Sequence, residues 1–253
     1  MKKTKVSIIG AGQMGTQIGK VASEQHEVIF FDKDSSRSRE AAKRFHAKYE
    51  NNLPDVLNSP IIILAVAGDV VIDLIQKYHA RSPRETLWVN ISTFVTLKDI
   101  RDITGDVDNV LSCKIIGHFE MMSPENKCVF VIHNEYPKNE LTTTLEDIFR
   151  EVGIVIYDDE EKYLKVNYMA AEEAMKSVIN LARKLQNMNM KSHVVNAAIK
   201  QVFLGTAQQF PYLEPDYFHE LVYQKIPELK GLNDEILRLF SGEEGSSDKN
   251  DLR

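Results

Sequence analysis

The strongest structural signal in this chain is Lys5-Val-Ser-Ile-Ile-Gly10-Ala-Gly12-Gln-Met-Gly15, followed by an apolar run that ends at Asp32. A strand of small and β-branched residues leads into three glycines with G-x-G-x-x-G spacing, and a helical pattern follows. Gly10 permits a tight turn, Gly12 lets the backbone approach a pyrophosphate, and Gly15 lets the helix lie close to the strand. Free N–H groups at the start of the helix would face the phosphates. This order predicts a dinucleotide site.

The acid at position 32 indicates which dinucleotide binds. A carboxylate at Asp32 would bind both ribose hydroxyls of the adenosine half and repel a 2′-phosphate, which favours NAD. Lys33, Arg37 and Arg39 follow the acid and are able to bind a phosphate, so NADP is the alternative. A glycine turn without a ligand is the structural alternative. We assign cofactor binding to Gly10, Ala11, Gly12, Gln13, Met14, Gly15, Asp32 and Val66.

The composition excludes several classes of protein. With 253 residues, 43% hydrophobic and 27% charged, the chain is long enough for one large domain or two moderate ones. A net charge of −6 lacks the basic footprint that nucleic-acid binding requires. The first apolar run is short and breaks at Gly10, which argues against a signal peptide or a membrane span. We therefore expect a cytoplasmic protein that acts on a small-molecule substrate.

The cysteines and histidines indicate neither disulfides nor a metal site. Cys113 and Cys128 lie in or beside predicted strands without a C-x-x-C partner, so we predict buried, reduced thiols. The seven histidines are scattered and form no H-x-x-x-H pair.

Residues 1–157 alternate short apolar runs with amphipathic stretches. This pattern predicts an α/β dinucleotide-binding domain with a doubly wound, Rossmann-type parallel sheet. The run 61–66 is apolar without alternation, as expected for a strand buried on both faces, and it ends at the edge where such sheets bind ligands. The predicted strands are 5–9, 27–31, 60–66, 86–91, 110–116, 128–132 and 154–157, and the predicted helices are 13–24, 36–47, 69–79, 96–103 and 139–151.

Residues 158–240 predict an all-helical domain. From 160 to about 190 the chain has no proline or glycine, and apolar residues recur at three- and four-residue steps. A helix of this length needs a partner along it, so we expect this domain to form a homodimer interface and one wall of the active site. Further helices are broken at Pro211, Pro215 and Pro227. Residues 241–253 lack apolar periodicity and are predicted to be disordered.

Two residues at strand ends are candidates for catalysis. If a nicotinamide transfers hydride, a side chain must handle the accompanying proton, and histidine suits this task with an unperturbed pKa of about 6.5. His118 follows a predicted strand and is the first candidate, with a core histidine as the alternative. His133 ends another strand but precedes a turn, and it ranks lower. Ser92 either orients a substrate oxygen or His118, or it caps the helix that begins near Thr96.

In this order the motifs resemble the prephenate and arogenate dehydrogenases. Val89-Asn-Ile-Ser92-Thr-Phe94 stands where that family has D-x-G-S-x-K, and His118-Phe-Glu-Met-Met-Ser-Pro124 stands where it has H-P-M-F-G-P. A helical domain follows, as in the family. The resemblance implies NAD-dependent oxidative decarboxylation of prephenate to 4-hydroxyphenylpyruvate, a step of tyrosine biosynthesis. It makes His118 the base at the ring hydroxyl and Ser92 its hydrogen-bonding partner there.

The chain departs from the family where that family binds its substrate. The lysine after the serine is absent, and Glu120 is inserted in the histidine loop. Glu160-Glu-Lys-Tyr163 replaces a His-Asp pair, and Glu172-Glu173 stand near the position of an arginine that holds a substrate carboxylate. A dicarboxylate substrate needs a facing cation. One of the cations on the predicted helix could supply this charge; the alternative is that they form a solvated charged face. These cations are Lys162, Lys165, Lys176 and Arg183.

Two other functions therefore stay open. One is an NAD(P)-dependent reductase or dehydrogenase of another small hydroxy acid, keto acid or cyclic imine. The other is a nucleotide-binding protein without catalysis.

Overall fold

The computed structural model of the chain describes residues 3–105, 109–124 and 126–243. Contacts within the chain divide it into a first unit that ends at Ala171 and a second unit that begins at Glu172. The first unit contains a β-sheet covered by helices, and the second consists of helices.

An eight-stranded sheet organises the first unit. The strands are β1 Lys5–Ile9, β2 Glu27–Phe31, β3 Lys48–Tyr49, β4 Ile61–Leu64, β5 Leu87–Asn90, β6 Val110–Ile116, β7 Cys128–His133 and β8 Gly153–Asp158. Their order across the sheet is β3-β2-β1-β4-β5-β6-β7-β8. β1 pairs in parallel with both β2 and β4, so the strand order reverses beside the carboxyl end of β1. The predicted doubly wound, Rossmann-type sheet is confirmed.

β7 departs from the predicted all-parallel arrangement. It runs antiparallel to β6, with Ile116 opposite Val129, and β8 is parallel to β7. The connection between β6 and β7 spans only 117–127, whereas a parallel neighbour needs a crossover of about a dozen or more residues. As a result His133, at the end of β7, lies at the opposite sheet edge from the residues that follow β1, β4, β5 and β6.

Helices cover both faces of the sheet. One core includes residues of α1 Gln13–Gln25, α2 Ser35–Phe45 and α6 Glu140–Arg150, and the other includes residues of α3 Leu53–Val56, α4 Gly68–Tyr78 and α5 Leu97–Thr104. In β4, Ile61 and Ile63 belong to the first core, while Ile62 and Leu64 belong to the second. This is why the β4 sequence is continuously apolar.

The second unit is helical, as predicted. The helix that joins the units is α7 Leu164–Asn187, and α8 Ser192–Ala197, a π-helical stretch Ala198–Phe203, α9 Leu204–Gln209, α10 Tyr217–Lys225 and α11 Pro227–Glu243 follow. Pro227 occupies the first turn of α11, where a missing N–H costs no hydrogen bond. No helix among the described residues is long and apolar enough to cross a membrane.

The unit boundaries differ from the predicted ones. The first unit continues past residue 157 because Glu160 and Asn167 bond to the sheet domain: Glu160 accepts from the Leu97 N–H, and the Asn167 amide donates to the Ile115 carbonyl at 2.6 Å. At the other end, α11 runs to Glu243, so residues 241–243 are helical rather than disordered. The rest of the predicted tail, 244–253, lies outside the described residues.

Candidate active site

The glycine turn between β1 and α1 leaves no room for side chains at two positions. Gly10 has a φ of +104°, and a Cβ on it would lie 2.3 Å from the Ala65 carbonyl oxygen. A Cβ on Gly15 would lie 2.0 Å from the Gly10 carbonyl oxygen. Both glycines are therefore required by close packing between the turn, α1 and the end of β4.

Gly12 differs because it faces open space. A Cβ on Gly12 would meet no atom within 4 Å, and Gly12 is the N-cap of α1 without a side chain that could cap the helix. The N–H groups of the first helical turn thus lack a side-chain acceptor, and they lie at the positive end of the helix dipole. This arrangement fits a pyrophosphate.

Asp32 is held by the turn it was predicted to accompany. One carboxylate oxygen accepts from the Ala11 N–H at 2.8 Å, and the other accepts from the Asp34 N–H at 2.9 Å. A cleft of about 220 Å³ brings Asp32 together with Gly10, Gly12 and Val66. Each carboxylate oxygen keeps a further lone pair for a ribose hydroxyl.

The cations after Asp32 lie in two places. Lys33 and Arg37 line the same cleft as Asp32. The Arg39 guanidinium instead lies over the Tyr49 ring, 5.5 Å from its centroid. Arg39 is not among the residues that line this cleft.

Two further residues of the predicted cofactor set, Gln13 and Met14, do not line the cleft that contains Asp32. The Met14 side chain packs against the core on the α1 face of the sheet. The Gln13 side chain lines a separate groove of about 710 Å³ between α1 and α2, which Gly12 and Arg37 also border. Only the N–H groups of Gln13 and Met14 belong to the open first turn of α1.

Ser92 lies just beyond the end of β5 and is 9% exposed. Its hydroxyl oxygen is 3.2 Å from the point that a Cβ on Gly68 would occupy, so it stands beside the start of α4. The capping alternative is wrong: Thr96 caps α5, its hydroxyl accepting from the Asp99 N–H at 3.1 Å. Ser92 is therefore free of that structural task.

His118 follows β6 on an exposed turn that the Met121 N–H closes onto the His118 carbonyl at 2.9 Å. The ring packs on Phe119, with centroids 4.5 Å apart. The Glu120 N–H points at the imidazole Nδ1 at 3.4 Å. Because Nδ1 faces this N–H of its own loop, Nε2 is the ring nitrogen that could meet a ligand. The alternative of a buried core histidine is wrong.

Ser92 and His118 share an edge without touching. β5 and β6 are parallel neighbours, so their carboxyl ends meet at the edge that also carries the glycine turn. Among the described contacts, none joins Ser92 to His118. The predicted hydrogen bond between them is therefore not among the hydrogen bonds of the described residues.

Sequence reasoning missed a buried polar cluster behind Ser92. Lys114 in β6 and Glu160 lie 3.3 Å apart, Nζ to Oε2, with side chains only 3% and 1% exposed. Burial lowers the pKa of Lys114, and the Glu160 carboxylate opposes that change. Glu160, compared above with a substrate-binding position, is instead an internal partner. In the sequence, the signal for this cluster is Lys114 itself, a charged residue within an otherwise largely apolar strand.

Of the four candidate substrate cations, Lys162 and Lys176 are paired with nearby carboxylates, and Lys165 and Arg183 are exposed. Lys162 is 2.7 Å from Asp158, and Lys176 is 2.8 Å from Glu172 and 2.9 Å from Glu173. These exposed pairs match the alternative of a solvated charged face.

The two cysteines lie within the sheet as unpaired, buried thiols, as predicted. Burial raises the pKa of both, that of Cys128 to about 11, so neither forms a thiolate at neutral pH. No group of three or more His, Cys, Asp or Glu side chains within the described ranges is arranged to hold a metal ion.

Comparison with known proteins bears on this site. Residues 5–93 match the family model described as NADP oxidoreductase coenzyme F420-dependent. No curated protein matches the chain. The matched region contains the glycine turn, Asp32 and Ser92, and the prediction of an NAD(P)-dependent oxidoreductase is confirmed.

Solved structures resemble the chain at low identity. The pyrroline-5-carboxylate reductase of Coxiella burnetii has a TM-score of 0.66 at 15% identity, covering 94% of this chain and 93% of that chain. The pyrroline carboxylate reductase of Plasmodium falciparum, solved with NADP bound, has a TM-score of 0.60 at 13% identity, covering 95% and 93%. The 3-hydroxyisobutyrate dehydrogenase of Mycobacterium tuberculosis has a TM-score of 0.57 at 16% identity, covering 76% and 68%. These likenesses establish the fold.

Neither the family model nor these structures is a prephenate or arogenate dehydrogenase. The resemblance on which that prediction depended therefore receives no support beyond the dinucleotide-binding region.

Proposed function

We propose that this protein is a nicotinamide-dependent reductase of a small cyclic imine, of the pyrroline-5-carboxylate type. The observation that carries the proposal is the uncapped start of α1 at Gly12, which opens into the same cleft as Asp32 at the switch point of the sheet. Ligands bind at this point in doubly wound sheets.

The choice of a cyclic imine is supported by the extent of the structural matches. The two pyrroline carboxylate reductases align over more than nine-tenths of this chain and of their own chains, so the likeness includes the helical part. The hydroxyisobutyrate dehydrogenase aligns over 76% of this chain and 68% of its own. A small hydroxy acid is therefore the second candidate.

The proposed reaction reduces a carbon–nitrogen double bond. When bound, the reduced nicotinamide supplies a hydride to the imine carbon, and the imine nitrogen takes a proton. We assign His118, at the carboxyl end of β6, the role of proton donor: it gives its Nε2 proton to the imine nitrogen and becomes the neutral imidazole. Ser92, at the neighbouring strand end, would hold the substrate by a hydrogen bond from its hydroxyl.

We also propose NAD rather than NADP as the preferred cofactor. The support is the orientation of Asp32, whose carboxylate the Ala11 and Asp34 N–H groups hold in the cleft. A fixed negative charge there would repel a 2′-phosphate, although Lys33 and Arg37 line the same cleft.

We also propose that the protein forms a homodimer through its second unit. No residue of α7 is buried, and in the second unit Met175 and Ile179 are 61% and 49% exposed. The same unit has an apolar groove of about 570 Å³ that includes Leu181 and Leu185 of α7. A second copy of the chain would cover this surface.

The function is tested with 4-deuterated NADH and pyrroline-5-carboxylate. We expect oxidation of the cofactor and proline that carries deuterium at the former imine carbon. Absence of turnover with this and related cyclic imines, together with turnover of a small hydroxy acid or of prephenate with NAD, would contradict the proposal.

The role of His118 is tested by His118→Asn, with His133→Asn as the matched control at the opposite sheet edge. We expect the first variant to lower kcat by about 100-fold or more without changing NADH affinity, since general acids contribute rate factors of this size. The control should keep full activity. Equal activity in the two variants would remove His118 from the mechanism.

A further inference from the structure

The described ion pairs include one in which both partners are inaccessible to solvent. Lys114 and Glu160 are 3% and 1% exposed, whereas the other described pairs each have at least one partner well exposed. Removing two charges from water is costly, so a buried pair of this kind is weak evidence of a gain in stability. Its geometry instead indicates what the pair holds in place.

Both charged groups act on the connection between β5 and α5. The Lys114 ammonium donates to the Ser92 carbonyl at 2.8 Å and to the Val95 carbonyl. The Glu160 Oε1 accepts from the Leu97 N–H at 2.6 Å. The pair therefore ties down both ends of the segment 92–97.

Two neutral side chains complete the cluster. The Asn90 amide donates to the Val95 carbonyl at 2.6 Å, and its oxygen accepts from the Ser92 N–H at 2.9 Å. The Ser112 hydroxyl donates to Glu160 Oε2 at 2.5 Å. The backbone N–H and carbonyl of Ser92 are thus both occupied, while none of the described hydrogen bonds involves its hydroxyl.

We propose that Lys114 and Glu160 are positioning residues, which set the place of the Ser92 hydroxyl at the cofactor edge of the sheet. The inference rests on the proposed function, because the place of this hydroxyl matters only if a substrate reacts there. Displacing a reacting or orienting group by about 1 Å costs up to about 100-fold in rate. Lys114 and Glu160 are buried, so they act through Ser92.

The test compares Lys114→Met, Glu160→Gln and the double variant Lys114→Met/Glu160→Gln. The double variant leaves no unpaired charge inside the protein, so it keeps the test valid if either single variant fails to fold. Lys98→Met is the matched control, because Lys98 is an exposed lysine at the start of α5.

Hydrogen exchange of the cofactor-free protein gives the first measurement. We expect amides 92–97 to exchange faster in the variants, with β1 and β2 as protected as in the unmodified protein and in Lys98→Met. Unchanged exchange at 92–97 would overturn the inference.

Kinetics give the second measurement. We expect kcat for imine reduction to fall by about 100-fold while NADH affinity stays close to that of the unmodified protein. Adding Ser92→Ala to the double variant should lower kcat no further, because residues that act through one group have non-additive effects. If Ser92→Ala lowers kcat by the same factor in the double variant as in the unmodified protein, the pair does not act through Ser92.

The two proposals fail in different ways. If the unmodified protein reduces no imine, the proposed function fails, and the exchange measurement decides the inference alone. Faster exchange confined to 92–97 then supports it, and exchange that rises everywhere or nowhere contradicts it.

Discussion

The glycines of the first turn look equivalent in the sequence, yet their surroundings differ. Gly10→Ala would place a methyl group 2.3 Å from a carbonyl oxygen at a φ of +104°. We expect a loss of at least about 2 kcal/mol in the free energy of unfolding. Gly12→Ala meets no atom and should cost less than about 1 kcal/mol. It should nevertheless weaken NADH binding about tenfold or more, since the methyl occupies the phosphate position.

Urea denaturation and fluorescence titration with NADH check this pair of variants. The explanation is wrong if Gly10→Ala is as stable as the unmodified protein, or if Gly12→Ala binds NADH with unchanged affinity.

We expect Asp32 to determine the preference for NAD over NADP. Asp32→Ser removes a negative charge from the cleft while Lys33 and Arg37 remain, so affinity for NADP should rise relative to NAD. We expect the ratio to shift about tenfold, because a like charge at close range contributes at least about 1.4 kcal/mol. Asp34→Asn is the control, since asparagine keeps the helix cap and Asp34 is exposed. A ratio that shifts equally in the two variants contradicts the role of Asp32.

Residue patterns predicted the glycine turn better than they predicted the buried surroundings of Ser92. Gly10, Gly12, Gly15 and Asp32 are close in sequence, and their spacing alone requires a particular turn. The partners Lys114 and Glu160 lie far apart in the chain, and neither has a local signature. Only the paired strands bring them together, so a sequence pattern could not reveal their contact.

The segment between β5 and α5 contains two hydroxyl residues with different roles. Thr96 caps α5, and Ser92 is a candidate site residue. Thr96→Ala removes the α5 cap and should cost about 1 kcal/mol of unfolding free energy. Ser92→Ala should change stability by less than about 0.5 kcal/mol, because the described hydrogen bonds of Ser92 are made by its backbone. It should lower kcat by about 100-fold, the loss expected when the buried pair behind it is removed. Thermal denaturation and steady-state kinetics measure both effects, and a large stability loss in Ser92→Ala would mean that its hydroxyl is structural.

Strand and helix positions followed from hydrophobic periodicity, while strand direction did not. Ile61–Leu64 and its neighbours were recognisable because both faces of the sheet are covered. The reversed direction of β7 depends on the length of the connection before it, which periodicity does not report. The short β3 and α3 have too few residues to show a period.

For the whole molecule, the exposed face of α7 predicts a homodimer. Size-exclusion chromatography with light scattering should give about twice the mass of one chain. Ile179→Glu introduces a charge into the apolar face and should shift the mass toward that of a single chain. Lys184→Glu, on the same helix and exposed, is the control. A single-chain mass for the unmodified protein at micromolar concentration contradicts the dimer.

We infer that the sheet edge formed by the ends of β1, β4, β5 and β6 binds the dinucleotide and carries out the reaction. A crystal structure of the protein with NADH would show where the cofactor lies. We expect the pyrophosphate on the N–H groups of α1 beside Gly12, with the nicotinamide within hydrogen-bonding reach of Ser92 and His118. A dinucleotide bound elsewhere, or none at saturating concentration, would contradict it.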